Sequence, residues 1–115
     1  MSNESIIDVI AKVLKDANIR YKRYGNKSVK KITVSENIVC VTLRACNTYT
    51  KIDVMDRELE ITEKTIAFGN KVITFEAPFC KVELLYAGDI KVRNSEDSIS
   101  IDAGLSTLTF DFIRR

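Results

Sequence analysis

The stretch SIIDVIAKVLKDANIRYKRYGNKSVKK, residues 5–31, decides how the chain is read. On a helical wheel Ile6, Ile10, Val13, Leu14 and Ala17 share one face and Ile7 and Val9 flank it. Asp8, Ala11, Lys12, Lys15 and Asp16 lie opposite. That stripe predicts an amphipathic helix over about residues 5–18, packed on a core. Ser5 followed by Asp8 is a capping-box start, and Asp8 stands one turn before Lys12, a spacing that allows an ion pair. Asn18 suits the left-handed position after a helix, from which Ile19 folds back on Leu14. Burying the five central side chains contributes roughly 6–12 kcal/mol before chain entropy is subtracted. Two lysines opposite the apolar arc are too few for a membrane-surface helix.

The helix runs into a basic segment, about residues 19–31. Arg20, Lys22, Arg23, Lys27, Lys30 and Lys31 are cationic, and no acid falls between Ala17 and Ser35. Gly25-Asn26 is a two-residue hairpin signal, which predicts a basic two-stranded ribbon with Tyr21 and Tyr24 along it. Cations for phosphates and rings for bases are what single-stranded nucleic acid requires. Lysines on an edge ribbon equally block edge-to-edge aggregation, and this is the weightier expectation.

Past Ser28 the hydrophobic period changes from 3.6 to 2, which begins a β body over about residues 29–113. Residues 29–35, 38–45 and 48–55 read as strands; the second is apolar on both faces at first, as in an interior strand. Residues 58–62 alternate, with Leu59 and Ile61 inward and Glu58 and Glu60 outward. Residues 65–68 and 71–76 flank Gly69-Asn70, the strongest hairpin signal, with Ile66, Phe68, Ile73 and Phe75 as inward candidates. Pro78 breaks the run. Further short strands are predicted at 81–86, around Ile90 and Val92, around Ile99 and Ile101, and at 105–113. About ten strands at this spacing imply antiparallel neighbours joined by hairpins. The expected fold is therefore α+β: one N-terminal helix, then a mostly antiparallel meander curling into a barrel or sandwich. The helix covers an open face or plugs an end. Tyr24-Gly25-Asn26-Lys27 resembles Phe68-Gly69-Asn70-Lys71, but the offset drifts downstream, as it does when any regular meander is laid on itself.

At 115 residues the chain is one expected domain, 1–115, with room for a core. Net charge is +2 but uneven: residues 1–31 hold eight basic and three acidic groups, the remainder ten and thirteen. No apolar run reaches membrane-spanning length, and the polar, acidic start is unlike a signal peptide. Cys40, Cys46 and Cys80 lack CxxC spacing, and Cys40 sits in a valine-rich run as a small core residue. These features predict a cytoplasmic protein with reduced thiols and no membrane partner. The absence of glutamine beside abundant Ile, Lys and Glu points to a thermophile or an AT-rich genome, seven asparagines weigh against it, and the composition as a whole fits a viral or archaeal origin.

The chain has no histidine, which removes the commonest general base and metal ligand. Ser–His–Asp and Cys–His devices cannot be assembled within it. Asp53, Asp56 and Glu58 cluster, as do Glu96, Asp97 and Asp102, but turn acids on a solvated face account for both groups. No catalytic residue, metal site or cofactor is expected. Phe79, beside Pro78, is a weak candidate as an exposed partner anchor. The leading expectation is a small non-enzymatic binding or assembly module, partnered by protein or by further copies of itself in a homo-oligomer. The alternative is a nucleic-acid-binding module, with Arg20, Lys22, Arg23, Lys27, Lys30 and Lys31 on phosphates and Tyr21 and Tyr24 on bases. A Mg²⁺-dependent enzyme on Asp53 and Asp56 is a remote third.

Overall fold

The computed structural model describes residues 5–26, 29–35, 38–45, 47–54, 57–66, 70–78, 80–86, 90–95, 97–103 and 106–112. Helix α1 spans Ile6–Asp16. The Ser5 side chain accepts from the Asp8 amide as the N-cap, and Asn18 takes φ 59° after the C-cap. The Asn18 amide donates to the Lys15 carbonyl and the Ile19 amide to the Leu14 carbonyl, so the last carbonyls are satisfied as the sequence predicts. The buried arc is wider than the wheel implies, because Ala11 is buried along with Ile6, Ile7, Val9, Ile10 and Leu14. A small side chain on the polar side of the wheel lets the helix settle into the core.

Ten strands follow: β1 Tyr21–Gly25, β2 Val29–Val34, β3 Ile38–Ala45, β4 Thr48–Asp53, β5 Leu59–Thr65, β6 Lys71–Ala77, β7 Cys80–Tyr86, β8 Ile90–Asn94, β9 Ser98–Ala103 and β10 Ser106–Phe112. They form two five-stranded antiparallel sheets, β1-β2-β5-β6-β7 and β4-β3-β10-β9-β8. Among the described residues no strand pairs across the two, so the arrangement is a sandwich-like α+β fold and the sheets do not close into a barrel. Each sheet combines one hairpin with one three-stranded meander. Two long-range pairings, β2 with β5 and β3 with β10, knit them together. The body is thus less of a meander than expected. Strand pairing runs against a repeat, in keeping with the drifting offset: β2 and β3 lie in different sheets, whereas their counterparts β6 and β7 are hairpin neighbours.

The first hairpin signal is displaced in the fold, and the second falls partly outside the described residues. Gly25 is the last residue of β1, paired with Lys30, and the Asn26 amide donates to the Val29 carbonyl. Gly25-Asn26 thus belongs to the paired part of the ribbon, and residues 27–28 lie outside the described residues. At the second site the Ile66 amide donates to the Asn70 carbonyl, and residues 67–69, Phe68 and Gly69 among them, lie outside the described residues. Ile66 is exposed rather than inward. The strand expected at 58–62 runs on as β5 through Glu63 to Thr65, and Phe68, expected in the next strand, lies outside the described residues.

The inner faces hold one core. Ile32, Val34, Leu59, Ile61, Ile73, Phe75 and Leu84 come from the first sheet. Val41, Leu43, Ile52, Ile99, Ile101, Leu108 and Phe110 come from the second, and the helix lies against β1, β2 and β5. Phe75 and Phe110 meet with ring centroids 6.0 Å apart and planes tilted by 51°. Cys40 is buried, but it is not part of this cluster. The regular β3–β10 register sets Cys40 opposite Asp111, just before a bulge that places Phe112 opposite Ile38, and the Cys40 thiol donates to the Asp111 carboxylate at 3.1 Å. Desolvation, then that bond and the carboxylate charge, push the thiol up to about 11. Native-state alkylation is therefore expected to be slower at Cys40 than at half-buried Cys80, measured by mass spectrometry of the labelled peptides. Between an ordinary thiol value of 9.0 and about 11 the unfolded chain ionises Cys40 while the folded chain keeps its proton. Stability therefore falls as pH rises through that window.

Candidate functional site

The basic ribbon forms, and alternation along its two strands splits it between two faces. Tyr21 and Arg23 share the inner face with Lys30, Ile32 and Val34; Lys22 and Tyr24 share the outer face with Lys31 and Thr33. The inward cations share one acid of the helix: Arg23 and Lys30 both pair with Asp8, Lys30 at 3.1 Å, which offsets one of their two charges. Asp8 thus reaches across to the sheet and not along its own helix to Lys12. On the outer face Lys31 pairs with Glu60 at 2.8 Å, and that hydrogen bond raises the Lys31 ammonium above its ordinary value. Lys27 and Phe79 lie outside the described residues.

Arg20 and Lys22 therefore remain as exposed ribbon cations that form no ion pair among the described residues. They line an open groove of about 660 Å³, where the helix end passes into β1. Lys15, Asn18 and Tyr21 also line it from this segment, Thr33 and Ser35 line it from β2 and the residue after it, and Glu58 from just before β5. Lys22, Thr33 and Glu58 continue into a second groove of about 460 Å³, bordered by Tyr24, Lys31 and Glu60. Tyr24 is 57 % exposed at its edge. The result is a channel over the outer face of β1 and β2, with Lys15, Arg20 and Lys22 at one end and a tyrosine ring at the other. Two carboxylates line its β5 side. Sequence reading missed Lys15, because its place here depends on where the chain turns after Asn18.

A second polar cluster stands at the other end of the helix. Glu63 continues the inward parity of Leu59 and Ile61 and is only 4 % exposed. It accepts from the Ser5 hydroxyl and from the Ile6 amide at 3.3 Å, with the Lys71 ammonium 3.9 Å away. A carboxylate at the positive end of the helix satisfies groups that the N-terminal turn leaves open. This cluster docks the helix on the sheet. The missed signal was the third step of the alternation Leu59-x-Ile61-x-Glu63.

The opposite sheet presents a polar outer face. Ser100 and Thr109 hydroxyls meet at 3.1 Å, Arg93 pairs with Asp102 at 2.9 Å, and Arg44 lies 5.6 Å from the Tyr49 ring centre. Lys51 and Asp53 face each other at 3.9 Å, both largely exposed; Asp56 and Glu96 lie outside the described residues. Among the described residues, no three acidic or thiol groups gather as a metal site would require. No helix among them is long and apolar enough to cross a membrane. No family model, curated protein or solved structure matches the chain.

Proposed function

We propose that the protein is a small non-enzymatic binding module and that the channel beside β1 takes single-stranded nucleic acid. The observation that carries this reading is the grouping of Lys15, Arg20 and Lys22, without ion pairs among the described residues, in one groove that leads to exposed Tyr24. A backbone laid along the three cations sends its bases over Thr33 towards the Tyr24 ring, and Glu58 and Glu60 bar phosphates from the β5 side. Three cations are few for a duplex and sufficient for a short single strand. The free thiols of Cys40 and Cys80 suit a reducing, intracellular compartment.

Fluorescence anisotropy with labelled single- and double-stranded oligonucleotides tests it. Single strands are expected to bind better, with log Kd rising against log salt with a slope of about 2 if three phosphates are neutralised. Tyr24→Ala is expected to weaken binding roughly five- to hundredfold, the range for loss of one stacked base. Reversal of Arg20 and Lys22 to glutamate is expected to abolish binding. Absence of binding at low salt, or binding indifferent to the reversal, removes the reading.

Self-association is the second reading, and a separate observation favours it. Each of the four edge strands carries an exposed large apolar side chain: Tyr24 on β1, Leu85 on β7, Tyr49 on β4 and Val92 on β8. Open edges bearing apolar groups are where sheets recruit further strands.

A further inference from the structure

We propose that β7 is the self-association edge, where two copies pair antiparallel about Val82 and join their sheets into one of ten strands. This rests on the self-association reading and is independent of the groove. Within each chain β7 pairs only with β6 among the described residues, so its other side offers unpaired backbone groups. It is also the longest of the four edges, at seven residues.

The side chains select the register. Lys81 and Glu83 are exposed on the outer face, with Val82 half-buried between them on the inner side. A twofold axis through Val82 sets Lys81 opposite the second copy's Glu83, and Glu83 opposite its Lys81. Val82 then meets Val82, and Leu84 meets Cys80. Opposite charges directly across an antiparallel pair stabilise it, and like charges oppose it. Moving the axis one residue either way sets Lys81 against Lys81 or Glu83 against Glu83. The register centred on Val82 also covers the edges of Val82 and Cys80, which the single chain leaves half-exposed. A two-fold contact of this kind is isologous and closes at two copies.

The other edges suit it less well. β1 offers Lys22 and Arg23, and β8 offers Lys91 and Arg93, so pairing either with itself brings cations together. β4 has an acid two residues after a lysine, as β7 does, but Lys51 and Asp53 are already an ion pair within the strand. Lys81 and Glu83 form no ion pair among the described residues.

A charge swap read by sedimentation velocity tests the proposal, with far-UV circular dichroism to establish that each variant is folded. The wild type is expected to dimerise. Lys81→Glu and Glu83→Lys are each expected to raise the dimer dissociation constant by roughly tenfold or more, since each sets like charges across the axis twice. An equimolar mixture of the two single variants restores pairing, and the double variant K81E/E83K dimerises as the wild type does. A wild type that stays monomeric at high concentration overturns self-association altogether. A dimer indifferent to both single reversals overturns the β7 interface alone. Failure of the mixture or the double variant to recover rejects the Val82 register.

Discussion

Replacement of Glu63 by leucine is expected to destabilise the protein by about 3 kcal/mol, although it introduces an apolar side chain into an interior position. The carboxylate is nearly inaccessible and accepts from the Ser5 hydroxyl and the Ile6 amide, with Lys71 beside it. Leucine leaves both donors without that acceptor and strips the Lys71 ammonium of its nearest charge. Each buried donor left unsatisfied costs about 1–3 kcal/mol, and removing one partner of a buried ion pair costs about 3–5 kcal/mol. The Lys71 side chain retains 18 % exposure and turns towards water, so the sum stays near the lower figure. Glu63→Gln keeps an acceptor oxygen and is expected to cost about 1 kcal/mol. Urea unfolding measures both: the midpoint should fall with the slope unchanged, more for leucine. A leucine variant as stable as the wild type would mean that the helix does not depend on Glu63 for docking.

The second large effect is expected at Phe75, where truncation to alanine should cost about 3–5 kcal/mol. Phe75 is fully buried on β6 and touches Phe110 on β10, so the pair bridges the two sheets. A cavity there weakens the seam between the sheets, which have no hydrogen-bonded strand pair in common among the described residues to compensate. A double-mutant cycle with Phe75→Leu and Phe110→Leu separates the ring contact from simple burial. A coupling of about 0.5–1.5 kcal/mol is expected for a tilted aromatic pair. Strictly additive losses would show that the rings contribute by volume alone.

The two positions differ in how far they could be read beforehand. Phe75 lies on a clean alternation beside Ile73 and was expected inside. Glu63 follows the same parity, yet it is a charged residue just past the alternation read over 58–62, and β5 carries it inward. The donors that hold the carboxylate inside lie 57 and 58 residues away in sequence. The same holds for the basic ribbon. Its hairpin and tyrosines were legible from composition and turn residues. That Asp8 would take up Arg23 and Lys30, leaving Arg20 and Lys22 to share a groove with Lys15, depends on the helix crossing the sheet at that place.

The sequence by itself determined what is short-ranged: the helix, its Ser5 cap and Asn18 stop, and the period-2 strands with β3 bounded at Ile38 and Ala45. Capping bonds and hydrophobic periods act within a turn or a few residues, and neighbouring side chains suffice to specify them. Only the tertiary structure decided which strands share a sheet, which ribbon cations find acidic partners and which edges stay open. Strand pairing joins segments distant along the chain, as β3 joins β10, and any strand of matching parity competes for each partner. The choice is made by the fit of the whole core, where Phe75 meets Phe110 and Glu63 meets the start of the helix.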